Sequence, residues 1–292
     1  MKQILFKGSG VAIITPFYES GVNFDKLGEL LEFQVENNTD AIFICGTTGE
    51  TPTMTKDEQL KTIEYTVKKI NGRIPVIAGA GGNNTAGAVE MSKEVEALGV
   101  DGLLSVVPYY NKPTQHGIYA HFKTIADSVK TPIILYNVPG RTVANMGVET
   151  IKELANLENI VGIKECDFSH VGELVRSCPS DFFVYSGDDP NFLPLLSMGG
   201  QGLVSVMANI IPKDTNEIYK KFISGDLEGS RKIQLKTLPL INALFIESNP
   251  VPLKYALNLM GYNVGECRLP LAPMLDKNIN VLKQELKNYG LI

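Results

Sequence analysis

Eight short apolar runs recur along the chain, and helical patterns separate most of them. The runs are Val11–Ile14, Ala41–Cys45, Val76–Ala78, Leu103–Val107, Ile133–Tyr136, Val161–Ile163, Phe182–Tyr185 and Leu203–Val206. Several are apolar throughout rather than alternating, as parallel strands covered on both faces should be. Between them, apolar residues fall at helical spacing in Phe24–Asn37, Lys56–Ile70 and Ala86–Leu98, and in shorter stretches near Val171–Cys178 and Asn191–Met198. Start and stop residues agree with this reading. Thr55 with Glu58 three residues later forms a capping box, Thr85 and Thr114 are placed to cap the next two helices, and Asn71-Gly72 closes the second.

From the first run to the eighth the repeat is about 27 residues, the size of one strand–helix step. Eight such steps predict an α/β fold, a closed (β/α)8 TIM barrel. The competing architecture, an open doubly wound sheet, lacks support because no Gly-x-Gly-x-x-Gly follows the first run. After about Asn209 four helical stretches follow with no strand between them: Asp214–Ile223, Gly229–Phe245, Pro252–Met260 and Lys277–Leu286. One completes the barrel. The expected organisation is therefore a barrel over 1–225 and a C-terminal three-helix extension over 226–292, packed on the barrel.

Composition narrows the function. Of 292 residues 44% are hydrophobic, enough for a full core, and a net charge of −5 argues against a nucleic-acid-binding surface. Four dispersed cysteines without a CxxC read as reduced thiols, and three scattered histidines offer no zinc site. No apolar run reaches the roughly eighteen residues of a membrane span. The opening MKQILFKGSGVAIITPF lacks a small-residue cleavage pattern and reads as a first strand, which makes the cytoplasm the expected setting.

In a (β/α)8 barrel the C-terminal ends of the strands carry the chemistry. Here they read Cys45-Gly46-Thr47-Thr48-Gly49-Glu50, Pro108-Tyr109-Tyr110-Asn111, Tyr136-Asn137, Lys164-Glu165, Ser186-Gly187-Asp188-Asp189 and Val204-Ser205-Val206. Lys164 ends an apolar run. A lysine with its stem in an apolar barrel can lose affinity for its proton and attack a carbonyl to form a Schiff base; a lysine snorkelling out of a strand end is the plainer alternative. Tyr136 on the adjacent strand could move protons at the adduct, or simply pack at a core boundary. The Thr47-Thr48-Gly49 turn offers hydroxyls and N–H groups to a carboxylate. Arg141 suits a second carboxylate, or a solvated loop charge. Gly187 would let the backbone approach a ligand, and Asp188 and Asp189 are read as caps of the short following helix rather than as metal ligands. The glycines at Gly79–Asn84 and Gly199–Gly202 lack the spacing or the position of a phosphate site.

Taken in order, Gly46-Thr47-Thr48-Gly49-Glu50, Tyr109-Tyr110-Asn111, Tyr136-Asn137-Val138-Pro139-Gly140-Arg141-Thr142, Gly162-Ile163-Lys164-Glu165, Ser186-Gly187-Asp188-Asp189 and Asn249-Pro250-Val251-Pro252-Leu253-Lys254 resemble the dihydrodipicolinate synthase family, within the pyruvate-dependent class I aldolases that include N-acetylneuraminate lyase. The resemblance runs from about Gly10 to the C-terminus. It implies that Lys164 forms a Schiff base with pyruvate, and that Thr48, Tyr136 and Tyr110 form a proton relay in which Tyr110 serves the neighbouring subunit. It also implies that Thr47 and Thr48 hold the pyruvate carboxylate, that backbone groups at Gly187 and Val204 line the site, and that Arg141 receives the carboxylate of L-aspartate 4-semialdehyde. The implied product is 4-hydroxy-tetrahydrodipicolinate, in lysine and diaminopimelate biosynthesis, with no organic cofactor and no metal. The implied assembly is a homo-oligomer, at least a dimer and commonly a dimer of dimers.

Arg141 helps to choose within these aldolases, because sialic acid lyases typically lack it. An aldolase for a sialic acid or a 2-keto-3-deoxy sugar acid is the alternative, and a non-catalytic 2-oxo acid-binding protein a more distant one. Many family members are inhibited by L-lysine at the dimer interface. Asn83 and Tyr109 fit that site, but Lys56 and Gln59 stand where histidines are common, and Gly87 where an acidic residue is expected. The pattern predicts weak or absent inhibition, since an anion is lost and a cation added.

Overall fold

The computed structural model describes residues 2–18 and 20–292. Eight parallel strands close into a barrel. They are β1 (Gly8–Ala12), β2 (Ala41–Ile44), β3 (Val76–Gly79), β4 (Gly102–Val106), β5 (Ile133–Asn137), β6 (Ile160–Glu165), β7 (Phe183–Ser186) and β8 (Gly202–Ser205). Each pairs with its neighbours in sequence, and β8 closes on β1 through Gly8↔Gly202 to Val11↔Ser205. The apolar runs of the sequence are thus the barrel strands, within one to three residues at the ends.

The helices are α1 (Phe24–Glu36), α2 (Lys56–Ile70), α3 (Thr85–Ala97), α4 (Gln115–Ala126), α5 (Pro139–Thr142), α6 (Val148–Leu154), α7 (Val171–Ser177), α8 (Phe192–Ser197), α9 (Pro212–Ile223), α10 (Leu227–Leu244), α11 (Val251–Leu259) and α12 (Asp276–Tyr289). Helix α9 packs on β1 as the last helix of the barrel ring, and α10 lies against α8, α9, α11 and α12. The capping box at Thr55 is present, Asn71 takes the left-handed conformation that ends α2, and Thr114 caps α4. Thr85 does not cap α3. Asn84 Oδ1 accepts from the Ala86 N–H at 3.1 Å, and the Thr85 hydroxyl meets His121 Nδ1 at 2.9 Å instead. Asparagine is a slightly better cap than threonine, and here its side chain is free to turn back. A two-stranded hairpin, Phe17–Tyr18 with Gly21–Val22, and helices α5 and α6 were not foreseen.

Two apolar clusters divide the core. One lies between the strands and the helices. The other fills the barrel, with Phe6, Phe43, Ile134, Phe183, Tyr185 and Val204 among its members. Phe6 stacks on Tyr185 with ring centroids 4.5 Å apart, and the Tyr185 hydroxyl donates to the Phe6 carbonyl at 3.0 Å. That buried phenol therefore has its partner, as it must in a dry interior.

Candidate active site

Strand β6 carries Lys164, and a β-bulge decides which way the side chain faces. Along the β5–β6 ladder Ile133 pairs with Ile160 but Ile134 pairs with Gly162, so Val161 is the extra residue. Ile160 and Ile163 pack in the outer core and Val161 in the barrel. Past the bulge the alternation places Lys164 inside, where it is 6% exposed. Its Nζ lies 4.3 Å from the centroid of the Tyr136 ring, and Tyr136 is its partner in the ladder. Among the described residues Lys164 has no ion pair and no hydrogen bond. Gly187 makes room for the stem: a Cβ there would stand 2.3 Å from Cys166 Sγ and 3.1 Å from Lys164 Cε. Burial pushes the Cys166 thiol up to about 11, so it is an uncharged packed group at neutral pH.

The Thr47-Thr48-Gly49-Glu50 turn sits at the end of β2. Gly49 N–H bonds to Gly46 O and Glu50 N–H to Thr47 O, both at 3.1 Å. Thr15 and Thr51 hydroxyls donate to Gly49 O and Gly46 O. The Thr47 and Thr48 N–H groups donate to no protein group among the described residues, so a turn with free donors faces the barrel mouth. Thr48 is 2% exposed, and its hydroxyl oxygen accepts from Asn249 Nδ2 at 2.9 Å.

Glu50 ends the turn with a left-handed backbone and a buried carboxylate. Its Oε1 is 2.5 Å from Lys254 Nζ in α11, and its Oε2 accepts from the Arg268 N–H at 2.8 Å. Lys254 also donates to Glu266 O and lies 4.2 Å from the Phe17 ring centroid. Burial holds the Lys254 amine below its ordinary value, against the pull of Glu50. The segment after α10 thus reaches the turn twice, through Asn249 and through Lys254.

Arg141 lies in the short helix α5 after β5. Its side chain reaches the main-chain carbonyl of Asn249, with Nη2 at 3.3 Å from the oxygen. A cavity of about 460 Å3 is lined by Thr47, Tyr136 and Arg141 on one side and by Gln59 and Tyr109 on the other. Val204 is buried in the barrel interior together with Tyr136. Tyr110 is not brought to this cavity within one chain: it is 88% exposed, with a φ of 73°.

Of the proposed effector residues, Gln59 and Tyr109 line that same cavity. Asn83 Nδ2 donates to Tyr109 O at 3.1 Å, while Gln59 turns its amide to Thr51 O and Met54 O. Lys56 does not add a free cation. It is paired with Glu90 at 2.5 Å and Glu94 at 3.0 Å, two acids of α3.

Two sequence expectations need correction. Asp189 does not cap the helix that follows it. It is buried and accepts from Ser205 Oγ, Val206 N and Met207 N at 2.6, 3.1 and 3.2 Å, which fixes the end of β8. Burial pushes its carboxyl up to about 6. Asp188 stands at the cap position, but its carboxylate takes the Asn191 side-chain amide at 2.7 Å rather than a main-chain N–H.

A buried polar group behind Lys164 had no signal in the sequence. Glu165 faces outward and accepts from Asn137 Nδ2 at 2.9 Å, Asp167 N at 2.7 Å and His170 Nδ1 at 3.2 Å. Burial raises the Glu165 carboxyl, and the hydrogen bond to Glu165 raises His170. These contacts tie the ends of β5 and β6 to the loop before α7.

A lysine inside a barrel, against a tyrosine ring, at the end of the barrel that carries a turn with free N–H donors, has the parts an enzyme needs to condense with a carbonyl compound. Residues 5–289 match the model of the dihydrodipicolinate synthetase family. The 4-hydroxy-tetrahydrodipicolinate synthase of Acetivibrio thermocellus is 59% identical over 292 residues, the whole of both chains. The crystal structure of dihydrodipicolinate synthase from Aquifex aeolicus is 47% identical with a TM-score of 0.96, covering 98% of this chain and 99% of its own. A structure of the enzyme from Cyanidioschyzon merolae with lysine bound is 40% identical with a TM-score of 0.96, covering 99% and 100%. The chain belongs to the dihydrodipicolinate synthetase family. The fold and family expected from the strand-end motifs stand, and the sugar-acid aldolase alternative is not favoured.

Proposed function

We infer that the chain is a lyase that condenses pyruvate with L-aspartate 4-semialdehyde to give 4-hydroxy-tetrahydrodipicolinate, in lysine and diaminopimelate biosynthesis. The observation that carries the reading is Lys164: buried, without a polar partner among the described residues, 4.3 Å from the Tyr136 ring, at the end of a family motif. An amine with no carboxylate beside it has no ion pair to break before it reacts.

The proposed steps follow from that placement. Lys164 Nζ attacks C2 of pyruvate, and the carbinolamine loses water to give an iminium. Tyr136 and Thr48 pass the protons of that step, with Tyr110 supplied by a second subunit. The free N–H groups of Thr47 and Thr48 hold the pyruvate carboxylate. The iminium draws electrons from C3, a methyl proton leaves, and the enamine carbon attacks the aldehyde of the semialdehyde. Arg141 holds the carboxylate of that second substrate. The amino group of the semialdehyde then displaces Lys164 by transimination and closes the ring. Gly187 and Val204 line the site.

The assembly we propose is a dimer at least, and a dimer of dimers in full. The support is Tyr110, whose aromatic side chain lies in solvent on a left-handed backbone within one chain. The division we propose is a barrel over 1–225 and an extension over 226–292 that braces the Thr47–Glu50 turn. The setting we propose is the cytoplasm, which fits four unpaired cysteines.

Incubation with pyruvate and borohydride, followed by peptide mass, tests the reading. The expected result is an adduct of roughly 72 Da on Lys164, with turnover that depends on the semialdehyde. A folded protein without adduct removes the Schiff base. An adduct with cleavage of a sugar acid, and no consumption of the semialdehyde, establishes the other aldolase.

A further inference from the structure

We propose that Asn249 is a positioning residue that sets the direction in which Thr48 gives its proton. The inference rests on the reading of Thr48 as a relay hydroxyl. Asn249 and Thr48 are 201 residues apart in sequence and both buried, with Asn249 Nδ2 2.9 Å from Thr48 Oγ1. A threonine hydroxyl has one proton and two lone pairs. Once the asparagine amide fills a lone pair, the Thr48 proton has to point elsewhere. No protein acceptor takes it among the described residues, so it stays free for a reacting group or for Tyr136, its partner in the proposed relay.

The asparagine itself is poorly served by its surroundings. Its Oδ1 is buried and has no hydrogen-bond partner among the described residues. An unpaired buried carbonyl is a cost that an apolar residue of the same shape would avoid. Among the described residues the side chain has one hydrogen bond, the one it donates to Thr48. Its neighbours hold it in place for that purpose. The Asn249 main-chain carbonyl accepts from Arg141 Nη2 at 3.3 Å, and Lys254, in the helix that follows, pairs with Glu50 two residues after Thr48. The turn is fixed from the Glu50 end and the hydroxyl from Asn249. A hydroxyl without that donor is free to rotate among three staggered positions, and only some of them serve the relay.

The geometry separates two effects. The Arg141 contact is to the main chain of residue 249, so every side chain at that position keeps it. Replacement should therefore lower kcat and leave KM for the semialdehyde alone. The discriminating variant is Asn249→Asp, equal in size but an acceptor: its carboxylate would capture the Thr48 proton instead of directing it to the cavity.

The test is steady-state kinetics of wild type, Asn249→Ala, Asn249→Asp, Thr48→Val and the double variant Thr48→Val/Asn249→Ala, each first trapped with pyruvate and borohydride. The expected result is a kcat lowered about tenfold or more by either Asn249 replacement, with KM for both substrates within about twofold. In the Thr48→Val background, Asn249→Ala should add no further loss. An Asn249→Asp enzyme with wild-type kcat would overturn the proposal, because shape or an acceptor would then suffice. Losses that multiply in the double variant would also overturn it, because Asn249 would then act independently of Thr48. Wild-type protein that gives no adduct would sink the Schiff-base reading itself, and the relay with it. The two failures are therefore distinguishable.

Discussion

Removal of the Lys254 ammonium should destabilise the protein far more than removal of the whole ion pair. Glu50 and Lys254 are each 1% exposed, and their charged atoms are 2.5 Å apart. The contact is an ion pair without well-aligned hydrogen-bond geometry at Oε1. With Lys254→Met, Glu50 keeps the hydrogen bond from the Arg268 N–H at 2.8 Å but gains no other cation among the described residues, because the Arg268 guanidinium is committed to Glu58 at 2.6 and 2.8 Å. An uncompensated buried carboxylate costs about 3–5 kcal/mol. At about 2–4 °C per kcal/mol this is a fall in Tm of roughly 6–20 °C. The double replacement Glu50→Gln/Lys254→Met leaves no buried charge, and its cost should be about zero, since such exchanges are often neutral. Thermal and urea unfolding at pH 7, at one fixed protomer concentration, read both variants. A Lys254→Met enzyme within about 2 °C of wild type would refute the reasoning, as would a double variant no more stable than the single one.

Three further outcomes are expected. Val143 is 69% exposed and holds a φ of 58°, a strained position for a β-branched residue; Val143→Gly should gain about 1 kcal/mol in urea unfolding, and a loss would show that Val143 is covered in the assembled enzyme. His121 is 4% exposed, and burial pushes its imidazole down to about 4. The folded state therefore favours the neutral ring, so its contribution is complete above the unfolded value near 6.5 and is lost as pH falls towards 4. Wild type should lose about 2 kcal/mol more than His121→Asn between pH 7.5 and pH 5, and parallel curves for the two proteins would contradict this. For L-lysine, Glu90 and Glu94 are consumed by Lys56 and Gln59 by backbone carbonyls. Among the described residues both of these carboxylates already pair with an ammonium group, and half-inhibition below about 1 mM, worth about −4.1 kcal/mol of binding, would show the reasoning to be wrong.

The barrel was legible because its strands are buried on both faces, so runs such as Ile133–Tyr136 and Val161–Ile163 read as unbroken apolar stretches. The hairpin at Phe17–Tyr18 was not, because two residues carry no period. Helix α5 is four residues long, too short for a helical pattern to stand out. The strand-end motifs pointed to Thr47, Tyr136, Arg141 and Lys164 through a family pattern that no residue carries alone. The contacts of Asn249 and His170 escaped because each needs a partner elsewhere: Thr48, 201 positions away, and Glu165 behind the barrel wall. Asp189 was misread for a related reason. An aspartate before a short helix resembles a cap in sequence, and only the fold brings Ser205 to it.

The bulge at Val161 links these parts. With strict alternation from Ile160, which faces the outer core, residue 164 would also face outward, and the lysine would enter a layer of leucine and isoleucine side chains. The extra residue shifts the phase by one, and Gly162 permits it, since a Cβ there would stand 2.6 Å from the Phe183 carbonyl and 3.2 Å from the Tyr185 ring. Beyond the bulge the ladder pairs Tyr136 with Lys164 and Asn137 with Glu165. The first pair faces the barrel interior, and the second faces the helices. Outside, Glu165 finds donors from Asn137, Asp167 and His170, so its charge is answered behind the wall of the barrel. Inside, Lys164 meets an aromatic ring and no carboxylate among the described residues. Had Glu165 shared the inner face, it would have tied the amine in an ion pair. The same half-turn of the strand that brings the lysine inward keeps its neighbouring acid away from it.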